Sequence, residues 1–63
     1  MRHFLFEETE KGFEFIVGAD DYVSALGIID RLAWDGEFED GSNIVFVSEL
    51  SDTEAEMSGL DEY

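Results

Sequence analysis

Two short stretches near the start of the chain alternate apolar and polar residues with a period of two. Phe4 and Phe6 fall on one side of an extended segment, with His3, Leu5 and Glu7 on the other. After the polar break Glu8-Thr9-Glu10-Lys11-Gly12, residues Phe13, Phe15 and Val17 share one side, and Glu14 and Ile16 the opposite one. A break of this length ending in glycine suits a hairpin loop. Paired aromatic faces across it favour antiparallel strands over His3 to Glu7 and Phe13 to Val17. A hairpin alone is marginal in water, so its aromatic face needs a cover.

The next segment supplies one. Asp20 is placed as an N-cap, and Asp21 sits where the helix dipole favours an anion. Tyr22, Ala25, Leu26, Ile29, Leu32 and Ala33 then recur at helical spacing, which predicts a helix from about Asp21 to Ala33. Gly27 weakens it by roughly 1 kcal/mol relative to Ala and suggests a close approach to the sheet. Residues Trp34 to Ser42 read as a turn region. Asn43 to Ser48 reads as a third strand, with Ile44 and Phe46 on one side and Val45 and Val47 on the other. Apolar on both sides, it is expected to be central or covered on both faces. Ser51-Asp52-Thr53-Glu54 is a capping box between the staple residues Leu50 and Ala55, and Gly59 suits a left-handed C-cap. These signals predict a short helix from about Asp52 to Ser58, docked through Leu50, Met57 and Leu60.

The expected architecture is α+β in the order β-β-α-β-α. A small three-stranded antiparallel sheet carries one main helix on its Phe face and a short C-terminal helix. Leu5, Ile16 and Val45 or Val47 form a second face for the tail helix or a second subunit to cover. The 63 residues allow one domain, 1–63, with little stability to spare.

Charge sets the functional question. There are 17 Asp and Glu against 3 Lys and Arg, a formal net charge of -14. A small domain needs a magnitude of only roughly 2–8 for solubility, and the excess opposes compaction. Acidic chains are often disordered, yet 44% hydrophobic residues and 14% aromatics argue for a folded one. Cysteine is absent, so disulfides and thiolate metal sites are excluded. The start of the chain lacks the long apolar stretch of a signal peptide, and apolar runs stay near four residues. A cytoplasmic protein is expected.

Several chemistries fit poorly. The single histidine, His3, reads as a surface residue rather than a catalytic base, and no serine has a neighbouring histidine. Carboxylate pairs suit acid–base work in principle, but 17 acids make pairs by chance. An enzyme is not expected. Asp35-Gly36-Glu37-Phe38-Glu39-Asp40-Gly41 begins like a calcium-binding EF-hand loop, then fails where glycine and a bidentate Glu are needed, at Asp40 and Phe46. The expectation is an acidic turn without metal or other cofactor. A phosphate-binding glycine loop is lacking, and three basic residues cannot neutralise a run of phosphates, so direct nucleic-acid binding is not expected.

Most of the acids fall into three groups. Asp35, Glu37, Glu39 and Asp40 lie in the turn after the main helix. Glu49, Asp52, Glu54, Glu56, Asp61 and Glu62 cover the tail, and Glu7, Glu8, Glu10 and Glu14 surround the hairpin. Ordinary surfaces mix both signs; this one carries almost no interspersed lysine. Carboxylates two apart on a strand lie about 6.5–7 Å apart, on the scale of successive backbone phosphates. The candidate contact residues are Asp35, Glu37, Glu39, Asp40, Glu49, Asp52, Glu54 and Glu56.

In length, charge and lack of cysteine and proline the whole chain resembles the small acidic DNA mimics of phages and mobile elements, including anti-CRISPR and anti-restriction proteins. The resemblance implies an inhibitor that occupies the DNA-binding groove of a host defence complex, such as a Cascade-type CRISPR effector. Two other readings compete. An acidic interaction or regulatory module, antitoxin-like or an accessory subunit, would bind through the apolar second face, chiefly Leu5 and Ile16. Adaptation to high salt would leave function unrelated to charge.

Overall fold

The computed structural model describes residues 1–36 and 43–63. Glu37, Glu39 and Asp40, with most of the EF-hand-like loop, lie outside the described residues. The elements run β1 (Arg2–Glu8), β2 (Phe13–Ala19), α1 (Tyr22–Trp34), β3 (Ile44–Leu50) and α2 (Asp52–Met57). This is the expected α+β order, and the sheet is antiparallel. Among the described residues no helix is long and apolar enough to cross a membrane.

The hairpin turn is held by Glu8. Its side chain is buried, and its two carboxylate oxygens accept the backbone N–H groups of Glu10 and Lys11, both at 2.8 Å. Its carbonyl accepts from Gly12, whose φ of 77° is left-handed and cheap only for glycine. A buried acid is thereby spent on two turn donors that would otherwise go unsatisfied. Asn43 ties the same turn to β3. It accepts from the backbone and hydroxyl of Thr9 and donates to Glu10.

α1 starts one residue later than the spacing suggests. Its N-cap is Asp21, not Asp20: Asp21 has an extended backbone, and its Oδ1 accepts from the Ser24 N–H at 2.7 Å. The reason is that β2 continues to Ala19, so the chain is still leaving the sheet at Asp20. The Ser24 bond holds the Asp21 carboxyl below the usual carboxylate range.

The strand order is β2-β1-β3, so β1 is central. The expectation that the third strand is central or covered on both sides is therefore corrected: β3 is an edge, and Val45, Phe46 and Val47 are each more than two-fifths exposed. An apolar run alone does not separate a doubly covered strand from an edge strand. The register also shifts between Leu5 and Phe6, with Phe6 opposite Phe46 and Leu5 opposite Ser48. Val47 is the extra residue of a β-bulge. The bulge reverses the alternation, so that Glu49, opposite Phe4, lies on the helix side of the sheet.

The core sits between α1 and the Phe face. Phe4, Phe6, Phe15, Val17 and Ala19 from the sheet meet Ala25 and Ile29 from the helix. Ile28, Leu32 and Ile44 pack at its margin. Gly27 does not mediate a close approach: it faces outward, and an added Cβ would meet nothing within 4 Å. Gly27→Ala is accordingly expected to stabilise the protein by about 0.8–1 kcal/mol, read as a higher urea midpoint with an unchanged slope.

The outer edge of β2 is closed by the C-terminus. Asp61 to Tyr63 runs parallel to β2, with Ile16 N–H donating to Asp61, Tyr63 N–H to Ile16, and Gly18 N–H to Tyr63. Three residues are too few for a period-two pattern to reveal. Ile16, on the second face and paired to this arm through its backbone, is fully buried.

Candidate partner-binding face

The second face of the sheet is where the hairpin and the tail meet. His3, Leu5 and Glu7 reach it from β1, and Glu14, Ile16 and Gly18 from β2, as the register dictates. β3 adds Ser48 and Leu50 beyond the bulge, each paired with a β1 residue of this face. The chain then turns into α2 through the capping box read from the sequence. Ser51 Oγ accepts from the Glu54 N–H, and the Glu54 carboxylate accepts from the Ser51 N–H, both at 3.1 Å. α2 is six residues long and buries none of them. A helix this short has no stability of its own, so its place depends on bonds from the sheet.

His3 supplies them. Its Nε2 lies 2.7 Å from Asp52 Oδ1 at the start of α2, and its Nδ1 lies 2.5 Å from Glu62 Oε2 in the C-terminal arm. The ring is largely covered, its side chain only 15% exposed. With a carboxylate on each nitrogen, the imidazolium is favoured and the His3 pKa is raised, mainly by Glu62 and then by Asp52. His3 is thus a clamp on the tail rather than a free surface residue. The two nitrogens point in opposite directions, so the three side chains do not converge on one point as metal ligands would. Gly18 faces His3 across the strand pair, and a Cβ there would lie 3.3 Å from the Glu62 carboxylate and 2.7 Å from Met1 Sδ. The absent side chain leaves Glu62 room to reach the ring.

Between α2 and the sheet runs an open groove. Leu5, Leu50, Met57 and Leu60 give it an apolar lining, and Glu14 and Glu54 stand on its walls. Met57, expected to help dock the tail, is instead 80% exposed. The C-terminal arm and the His3 clamp do the holding, so the helix need not press its methionine into the sheet. Glu7 is the direct cross-strand partner of Glu14. Like charges placed opposite each other cost stability, and among the described residues that line the groove there is no lysine or arginine.

The expected contact residues separate in space. Asp52, Glu54 and Glu56 share α2; Glu54 lines the groove with Glu14, whose cross-strand partner is Glu7. Asp52 is bonded to His3 and Glu54 to the cap. Glu49 is on the other face, where Arg2 donates to it through Nε at 2.9 Å and Nη2 at 2.7 Å. That fork keeps the Glu49 carboxyl below its ordinary range. The Arg2 guanidinium also stacks 5.0 Å from the Phe4 ring centre. Asp35 ends α1, its N–H donating to the Arg31 carbonyl while the Gly36 N–H donates to Ala33. The sequence marks Glu7 and Glu14 only as hairpin acids; their pairing follows once Phe6 is set opposite Phe15.

The helix face carries a different exposed feature. Tyr22 and Phe46 meet edge to face at 5.2 Å, both about two-fifths exposed, beside the outer edge of β3. The bulge at Val47 interrupts this edge, a device that discourages a second chain from pairing there. No protein-family model, curated protein or solved structure matches the chain.

Proposed function

We propose that the protein binds a basic protein surface by presenting carboxylates in place of nucleic-acid phosphates. It acts in this reading as an anti-CRISPR type inhibitor, blocking the DNA-binding groove of an effector complex in the host cytoplasm. The observation that carries the reading is the Glu7–Glu14 cross-strand pair beside the acidic helix α2, with no lysine or arginine lining the groove between them. A fold that sets two carboxylates opposite each other there gains if a cation-rich partner approaches them. The capping box, the His3 clamp and the C-terminal arm support the same reading, because they fix the acids on ordered backbone rather than on a loose tail.

The test is binding to purified CRISPR effector complexes. Affinity is expected to fall at least tenfold between about 50 and 200 mM salt, as for phosphate contacts, and target DNA is expected to compete. Glu14→Lys, Glu54→Lys and Glu37→Lys should each weaken binding more than alanine at exposed apolar sites. Salt-independent binding, or DNA and the protein bound together without competition, overturns the proposal.

The groove favours a second reading, an acidic interaction module for a protein partner. Leu5 lines the groove and is available to such a partner, whereas Ile16 is sealed and is not.

A further inference from the structure

We infer that the groove between α2 and the sheet receives a segment of a basic partner protein, an apolar side chain flanked by lysines or arginines. The inference rests on the charge-display reading above and adds to it an apolar anchor.

The groove has a volume of about 520 Å³, within the roughly 300–1,000 Å³ of ordinary ligand sites. It has two chemically distinct zones. Leu5, Leu50, Met57 and Leu60 offer apolar contact. Glu14 and Glu54 flank them, with Glu7 opposite Glu14 on the neighbouring strand. Met57 adds a flexible, polarisable surface that adapts to an incoming side chain. At 80% exposure it contributes little to the fold itself. α2 buries no residue, so the protein's own packing leaves this surface unfilled.

Charge selects the occupant. Two copies of a chain with formal charge -14 repel, and the acidic walls would bring that repulsion into the contact. A nucleic acid is repelled in the same way. A basic segment gains on both counts: its cations meet Glu14 and Glu54, and its apolar residue covers Met57 and Leu5. Helices and extended chains both present such patterns, and the carboxylate walls fix only the sign of the flanks.

The probe is a synthetic twelve-residue peptide of lysine and arginine with two leucines, compared with the same peptide carrying serine in place of leucine. Binding to the protein is measured by calorimetry and by amide chemical shifts. The leucine peptide is expected to bind at least tenfold more tightly, with the largest shifts at Leu5, Leu50 and Met57. Met57→Ser, at a position too exposed to threaten folding, is expected to erase most of that preference while leaving the serine peptide's affinity unchanged. Glu54→Gln should weaken both peptides. Equal affinities for the two peptides, or a preference that survives Met57→Ser, overturn the groove inference and leave charge display standing. If neither peptide binds at low salt, charge display fails as well. Dimers of the free protein in sedimentation, dispersed by Met57→Ser, would assign the groove to a second copy and overturn the inference.

Discussion

Phe6→Ala is expected to leave the protein without a cooperative unfolding transition at 25 °C and low salt. Phe6 is on the central strand and is 1% exposed. Its ring stacks on Phe15 at 5.9 Å, meets Phe46 at 5.7 Å and lies 6.4 Å from Tyr22. It therefore joins all three strands to α1. Truncating a buried phenylalanine costs about 3–5 kcal/mol. A domain of this length has a total of about 3–9 kcal/mol at roughly 0.05–0.15 kcal/mol per residue, and its self-repulsion places it at the low end. Circular dichroism against urea is the suitable measurement, since Trp34, 90% exposed, is a poor reporter of the core. Phe13→Ala is the control. Phe13 is on the same face but 38% exposed, so its loss should lower the midpoint while preserving the transition. A cooperative transition in Phe6→Ala displaced by less than about 1 kcal/mol would show that the aromatic cluster is not what holds the sheet to the helix. Added salt should partly restore the variant, because screening acts on the repulsion and not on the cavity.

The hairpin, the main helix and the tail helix are legible in the sequence because each rests on a local rule. Alternating phenylalanines show the strands, and Gly12 marks the turn. The Ser51–Glu54 box forms bonds that depend on four consecutive residues, so nothing distant can change it. β3 was misplaced for the opposite reason. Whether Val45 and Val47 are covered depends on strand order, which sequence alternation does not encode. The bulge at Val47 then breaks the alternation itself, so Glu49, grouped by sequence with the tail acids, ends on the helix face against Arg2. Gly27 misled because helix propensity and packing give glycine two different meanings, and only the neighbours distinguish them.

The candidate site was half visible. Its sign came from composition, and Asp52, Glu54 and Glu56 from the tail. Glu7 and Glu14 belong with them only because the chain folds α2 back under the hairpin, a tertiary event. The connection runs through His3, whose partners Asp52 and Glu62 are 49 and 59 residues away. A lone histidine near a chain start carries no local signal for such a contact. The acids of the tail supply the reason it is held: in so acidic a chain, a group able to become cationic is a favourable place to anchor a segment.

That anchor makes the tail sensitive to pH. Free histidine titrates near 6.5, and Glu62 and Asp52 raise the folded value above it. A raised cationic group contributes its stabilisation in full below the unfolded value and loses it as pH rises through the folded one. Stability of the tail should therefore fall on going from about pH 6.5 into the alkaline range. Asp21 and Glu49 work in the other direction. Their lowered values stabilise above the ordinary carboxylate range and are lost as pH falls through the folded values. The two effects leave a maximum on the mildly acidic side of neutrality. The amides of Ile16 and Gly18 report the tail directly, because they donate to Asp61 and Tyr63 of the arm. Their hydrogen-exchange protection factors, corrected for intrinsic rates, should drop as pH rises past the His3 transition, while those of Phe4 and Phe6 in the central strand hold. His3→Gln should lower protection at Ile16 and Gly18 below the His3 transition, leave it near the wild-type level above, and so remove its pH dependence. Protection that is flat across this range in the wild-type protein would mean that backbone pairing alone secures the arm. A matching loss at Phe4 and Phe6 would instead show that the tail and the sheet unfold as one unit, with His3 holding both.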